Sequence, residues 1–514
     1  MLFENQQINM CKRNFKNNLN NNIMENKTKS GFLTGVKLIY TLVVVLILHM
    51  TINADNCEGQ WQTDFRLTNT PDYSSTSYNG AWCIAASGSV LHVVWVEDLS
   101  GNGEIFYKRS TDAGQNWEGS IRLTNNVFLS EAPSVAVSGN FVNVVWFDHR
   151  DGNTEIYYKR STDAGVNWGA DTRMTNNTAQ SYFPSIAVSN NNVHIVWEDY
   201  RDGNVEIYYK YSSDGGQIWG ADTRLTNDTS SSEHPSISLS DLNVHVVWYD
   251  NRNGNSEIYY KRSTNGGISW GADTRLTNNT DISIHPTIAS SGSNVHVGWQ
   301  EYRDGNPEIY TKRSTDGGVN WASDTRLTNN SAFSYYPSFA VSGNLVHAVW
   351  QDLRDGNWEI YYKSSLNSGV NWGTDIRLTN NIADSYSPSV AISGFIVHAV
   401  WNDNRDANNE IYYKRDPTGN PTEIINTNLE IPITFSLKQN YPNPFNPSTI
   451  ISFQLPVNSQ VSLKVFDVMG REVQTIVNDR LQAGTYESTF DGSGLNSGVY
   501  IYKLMTDGFT KSKR

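Results

Sequence analysis

The chain is short of cysteine, of net positive charge, of long apolar runs and of any helical period, and each shortage removes a class of protein. Its three cysteines, Cys11, Cys57 and Cys83, offer no CxxC spacing for a metal site and no dense disulfide framework. Cys57 and Cys83 could pair in an exported chain, but sequence does not fix their distance. Lys and Arg number 39 against 52 Asp and Glu, a net charge of -13. The basic footprint of a nucleic-acid or anionic-lipid binder is therefore missing, and no nucleic-acid partner is expected. In the N-terminal segment the apolar run is eleven residues, Leu38 to Leu48, where a spanning helix needs about 20. Lys27, Lys29 and Lys37 precede it and Ile52, Asn53 and Ala54 follow, which is the layout of a signal peptide over 1–54 cleaved after Ala54. Met24 is a second candidate start, and an uncleaved membrane anchor is the competing reading.

What the sequence does have is aromatics, 12% of 514 residues, with 16 Trp and 27 Tyr, a composition suited to strands. Trp95, Trp146, Trp197, Trp248, Trp299, Trp350 and Trp401 recur at 51-residue steps, and Trp117, Trp168, Trp219, Trp270, Trp321 and Trp372 keep the same step. Such a period marks a solenoid or propeller. Each unit holds four short strand patterns, for example "PSIAVS", "NVHIVWED", "EIYYKYS" and "DTRLTN", divided by Asn, Asp and Gly. Four strands in about 50 residues is one propeller blade, whereas a parallel β-helix would need shorter rungs. The first three patterns occur seven times, and the last copy lacks a following "RLTN". A spare "TDFRLTN" stands at Thr63 to Asn69. The expected fold is all-β: a seven-bladed β-propeller over 55–415, closed by the N-terminal strand.

The turn between strands three and four reads "STDAGQNW" at Ser110 to Trp117, "STDAGVNW" at Ser161 to Trp168 and "STDGGVNW" at Ser314 to Trp321. It resembles the Asp-box, or bacterial neuraminidase repeat, Ser-x-Asp-x-Gly-x-x-Trp, with Asp112, Asp163, Asp214 and Asp316 at the acidic position. The Asp accepts backbone N–H groups across the turn, the Gly supplies positive φ and the Trp packs under the hairpin. Asn265 replaces the Asp in the fourth copy, and "SSLNSGVNW" at Ser364 to Trp372 reads as lacking it. Asp-box proteins include sialidases, glycan binders and scaffolds, so the resemblance implies a fold more than a chemistry.

After Arg415 a Pro, Asn and Thr-rich linker occupies 416–434. The stretch 435–514, with "NYPNPFNPST", "VSLKVFDVMGREV" and "GVYIYKL", resembles the type A C-terminal sorting domain of the type IX secretion system. Alternation of Val461, Leu463 and Val465 and the run Val499 to Leu504 read as a small β-sandwich. The resemblance implies the type IX secretion machinery as a partner, and a secreted or outer-membrane-attached protein of a Gram-negative bacterium. A fibronectin-like adhesion module is the competing reading.

The loops joining strands two and three read "DHRDGNTE", "DYRDGNVE", "DNRNGNSE", "EYRDGNPE", "DLRDGNWE" and "DNRDANNE", which places Arg150, Arg201, Arg252, Arg303, Arg354 and Arg405 on one face, with Leu99 in the first unit. One reading makes each a hairpin residue paired to flanking acids. The other makes them a ring gripping a polar ligand such as a glycan, with Trp358 stacking on a sugar. The sialidase resemblance implies a Tyr nucleophile with a Glu partner, an acid/base Asp and three Arg around a carboxylate. Such a site needs unlike groups in one place, and near-identical loops point instead to noncatalytic binding. A sialidase-like glycoside hydrolase is the alternative. His92, His194, His245, His296, His347 and His398 share one strand-two position. Copies about 9 Å apart, on strands spaced about 4.8 Å, cannot share a metal with bonds of about 2.1 Å, so they read as packed between blades. Neither a metal nor a cofactor is expected.

Overall fold

The computed structural model describes residues 61–77, 82–394, 396–417, 425–428, 432, 434–445, 448–457, 459–481, 484–492, 495, 498–506 and 508–514. The expected signal peptide, and Cys57 with it, lies outside these residues. Cys83 is buried and its thiol is pushed up to about 12 by burial.

Among the described residues, seven antiparallel sheets are built from the repeat. Blade three shows the plan: an inner strand Ser181–Ser189, a second strand Asn192–Asp199, a third Glu206–Ser212 and an outer pair Thr223–Arg224. Each inner strand packs against the inner strands of both neighbours, and Ser385–Ser393 of blade seven packs against Ile84–Ser87 of blade one, which closes the ring. In blade seven the outer strand is Phe65–Arg66, paired with Tyr413 and Tyr412. The pairing extends through Gln62 N to Arg415 O and Leu67 N to Ile411 O. Blade one departs from the plan because its inner strand is split into Tyr73–Ser75 and Ile84–Ser87, both paired to Val90–Asp98.

Second strands are apolar on both faces because neighbouring sheets cover both: Val193, Ile195, Val196 and Trp197 are all buried. The acid two residues after each strand-two Trp is buried with it. Trp197 Nε1 donates to Asp199 at 2.8 Å, and Ser181 Oγ adds a second bond at 3.1 Å. At the axis, inner strands converge on small residues such as Ala136, Ala187, Ala289 and Ala340, which line a cavity of about 210 Å³. Trp82 of blade one reaches the core shared by blades five and six.

The C-terminal part is a sandwich of two four-stranded sheets. Val461, Leu463 and Val465 point into its core with Phe453, Phe490 and Leu504, as the alternation requires. One sheet takes in Ile425–Asn428, paired to Gly484–Asp491, so part of the segment read as linker is a strand.

Candidate binding face

The six arginines sit where the loops placed them, and each is engaged within its own blade. Arg150 grips Asp148 with Nε at 2.8 Å and Nη2 at 2.6 Å, and donates Nη1 to Asp171 of the outer strand at 2.7 Å. Its guanidinium carbon lies 4.3 Å from the centroid of Tyr157. The same bracket recurs at Arg201 with Asp199, Asp222 and Tyr208, and at Arg354 with Asp352, Asp375 and Tyr361. Arg252, Arg303 and Arg405 likewise reach Asp273, Asp324 and Asp64, each one residue before its outer strand, but Nε of Arg252 turns to Asp228 at 2.8 Å and Nε of Arg303 makes no hydrogen bond among the described residues. Burial pushes the Asp148 carboxyl up, but bonds from the Arg150 guanidinium and Trp146 outweigh it and hold the group below its ordinary value. In Arg150, Arg201, Arg354 and Arg405 three of five guanidinium N–H groups and one ring face are thus spent on the turn.

The Asp-box turns lie at the opposite end of the strands. Asp112 accepts Asn116 N at 2.8 Å and Asn116 Nδ2 at 2.7 Å, while Ser110 Oγ donates to it and accepts Gly114 N. Asp163, Asp214 and Asp316 repeat the backbone bond. The sixth copy is intact once framed on Ser365, because Asn367 Oδ1 accepts Asn371 N at 2.8 Å; an amide oxygen serves as well as a carboxylate here, as at Asn265. The box Trp packs across to the preceding blade rather than under its own hairpin. Trp168 meets Tyr107 edge-on at 4.8 Å, and Trp219 meets Tyr158 at 5.0 Å. The box glycine allows this approach: at Gly165, with φ +83°, a Cβ would stand 1.9 Å from the Tyr107 hydroxyl.

These tyrosines also account for five of the strand-two histidines. His92, His194, His245, His347 and His398 each bond the hydroxyl of the facing strand-three Tyr at 2.7 Å, so they are tied within a blade. In blade five Thr311 stands in place of that tyrosine, and neither ring nitrogen of His296 has a hydrogen-bond partner among the described residues. Burial pushes all six imidazoles well below the usual range, to about 3 or 4.

Unlike groups do come together, at a place the regular loops do not indicate. The inner strands of blades two to seven bulge near their start, as between Tyr182 and Ser185, and the residue before the bulge proline has positive φ, in blades three to six Phe183 +48°, His234 +52°, His285 +51° and Tyr336 +51°. Non-glycine residues rarely adopt that conformation, and a bulge re-aims a side chain. Here it turns four consecutive blades' side chains into one row. Phe183 stacks on His234 at 4.9 Å, His234 meets His285 at 4.8 Å, and His285 meets Tyr336 at 5.1 Å. Phe147 extends the row at one end and Tyr335 with Trp358 at the other, the last two rings 5.3 Å apart.

Polar groups back this row. Tyr249 Oη donates to Glu233 at 2.6 Å, and the Tyr249 ring stacks on His234 at 5.4 Å. Glu198, 2% exposed, accepts the His234 backbone N–H at 2.6 Å. Burial pushes its carboxyl up to about 8, against that bond and with help from the Glu233 charge. Burial pushes His234 and His285 down to about 3 and 4, so both are neutral. Their Nδ1 atoms have no hydrogen-bond partner among the described residues. The signal for this cluster lies in the sequence as disagreement among copies: Phe147, Glu198, Tyr249, Gln300, Gln351 and Asn402 occupy one repeat position.

Residues 45–248 match the BNR repeat-like domain, and residues 439–514 match the secretion system C-terminal sorting domain. No curated protein matches the chain. Among solved structures it is similar to the phage phi92 endosialidase, with 12% identity over 80% of this chain and 78% of that one and a TM-score of 0.43. An oligogalacturonate lyase from Vibrio parahaemolyticus shows 11% identity over 68% and 93%, with a TM-score of 0.47. A Trypanosoma rangeli sialidase mutant shows 10% identity over 88% and 87%, with a TM-score of 0.41. The chain thus carries a BNR repeat-like domain and a secretion system C-terminal sorting domain, and the sorting domain makes it a secreted or cell-surface protein of a Gram-negative bacterium.

Proposed function

We propose that the protein is an exported carbohydrate-binding propeller whose ligand lies along Phe183, His234, His285 and Tyr336. The observation that carries this reading is the unbroken row of rings across four blades, held at positive φ. Aromatic faces offer sugars an apolar platform, and polar edges beside them fix orientation. Tyr200 and Phe333, 39% and 41% exposed, flank the row, and Trp358 extends it. Glu198, protonated at neutral pH, and the neutral imidazoles supply polar edges without a buried free charge. In this reading Arg150, Arg201, Arg252, Arg303, Arg354 and Arg405 shape the loops rather than hold ligand. The test is a glycan array on the purified exported chain, followed by calorimetry on the best hit. His234→Ala with Tyr336→Ala should weaken binding at least tenfold and leave the blades folded. Unchanged affinity in that folded variant defeats the proposal.

The Tyr249–Glu233 pair favours a second reading, a glycoside hydrolase with Tyr249 as nucleophile and Glu233 as its base. The arginine triad that sialidase chemistry requires is not supplied by the six bracketed arginines. Turnover of a fluorogenic glycoside that Tyr249→Phe abolishes would favour the enzyme over the binding protein.

A further inference from the structure

Blade one lacks the bracket that the other six share. Where they carry Arg, Tyr and an outer-strand Asp, it carries Leu99, Phe106 and Ser120. It keeps the lysine that completes the set. Lys159 lies 2.8 Å from Asp171, Lys210 2.8 Å from Asp222, Lys261 2.9 Å from Asp273, and Lys414 2.9 Å from Asp64. Lys108 donates to Leu67 O at 2.6 Å and meets no carboxylate among the described residues. Burial pushes its ammonium below the ordinary value, as expected for a cation that has lost water without gaining an anion.

The missing side chains leave space. A cavity of about 610 Å³ opens between Leu99, Phe106, Lys108 and Ser120 of blade one and the N-terminal segment at Thr68, Asn69 and Thr70. Its volume suits a small ligand, with an apolar floor and hydroxyl and amide edges. Glu97 and Asp72 also line it. Glu97 is already covered, since it accepts Thr70 Oγ1, Ser74 Oγ at 2.9 Å and Trp95 Nε1 at 2.8 Å. Arg66, on the same wall, is engaged with Glu410 at 2.6 Å.

We infer that this cavity is a binding pocket for a sugar acid. The ligand's carboxylate takes the place beside Lys108 that Asp171 holds beside Lys159, and its ring rests on Phe106 and Leu99. The ammonium's remaining N–H groups supply charge-assisted bonds to the carboxylate. This pocket is independent of the aromatic row, so either proposal can fail alone.

The test titrates the full exported chain with glucuronate, glucose and acetate by calorimetry, in wild type and in three variants. Wild type should bind glucuronate saturably and glucose at least tenfold more weakly. Ser120→Asp gives Lys108 its absent partner and should cost at least tenfold in glucuronate affinity while raising the melting temperature. Lys108→Gln should cost as much, and Val319→Ala, at an exposed Asp-box turn of blade five, should change nothing. Absence of saturable glucuronate binding, or equal binding by folded Ser120→Asp, would overturn the proposal. Acetate binding as tightly as glucuronate would overturn the assignment to a sugar.

Discussion

Trp61 packs edge-on against Tyr362, with ring centroids 5.0 Å apart, so the start of the described chain performs for blade seven what Trp168 and Trp219 perform for blades two and three. The N-terminal segment supplies more than a strand: Trp61, Asp64 and Arg66 each fill a repeat position that the C-terminal end of the propeller leaves open. Trp61→Ala should therefore destabilise the propeller by about 2–4 kcal/mol, near the range for removing a packed Trp. Denaturant unfolding followed by tryptophan fluorescence or circular dichroism checks it, and a change under about 0.5 kcal/mol contradicts the role.

The brackets make a different prediction for Arg201, Arg252 and Arg303. Changing all three to Ala leaves Asp199, Asp250 and Glu301 buried with fewer donors, at roughly 1–3 kcal/mol per site. The melting temperature should fall while glycan affinity at the aromatic row holds. Affinity lost with stability retained would return these residues to the ligand.

Glu198 sets a pH dependence whose sign is fixed. In the folded chain it stays protonated up to about 8, whereas in the unfolded chain it ionises near its ordinary 4.5. Between those values the unfolded state binds fewer protons, so this group's contribution to stability falls as pH rises from about 4.5 to 8 and then levels. Glu198→Gln removes that titration. Its stability relative to wild type should grow over that window by at least about 1 kcal/mol, and a pH-independent difference would refute the assignment.

Deleting 435–514 should strand the propeller in the periplasm, because the sorting domain is its route to the surface or the medium. Fractionation and immunoblotting read this directly. Normal export of the truncated chain would show that another signal suffices.

The blades are legible from the repeat alone: the 51-residue step, the four strand patterns and the spare "RLTN" lead to the ring and its closure. The arginine loops are legible in position but not in use, since a guanidinium bonded to Asp148 and Asp171 has the same sequence as one awaiting a ligand. The variable repeat position at Phe147, Glu198 and Tyr249 marks this neighbourhood in the sequence, but the row itself is not legible, because it depends on a bulge before proline that turns Phe183, His234, His285 and Tyr336 away from the alternation of a flat strand. The sixth Asp-box keeps the spacing from Ser365 to Trp372, so its turn is legible once an amide oxygen at Asn367 is allowed to stand for the carboxylate.

Closure of blade seven by Phe65–Arg66 also sets an order of events. Residues near position 61 emerge from the ribosome long before Glu410–Asp416, and until that third strand exists they have no sheet to join. A partial translation product therefore holds an open arc with raw edges, and the ring completes only when the last repeat has been made. The first-made strand acts as a latch that tells a whole propeller from an unfinished one.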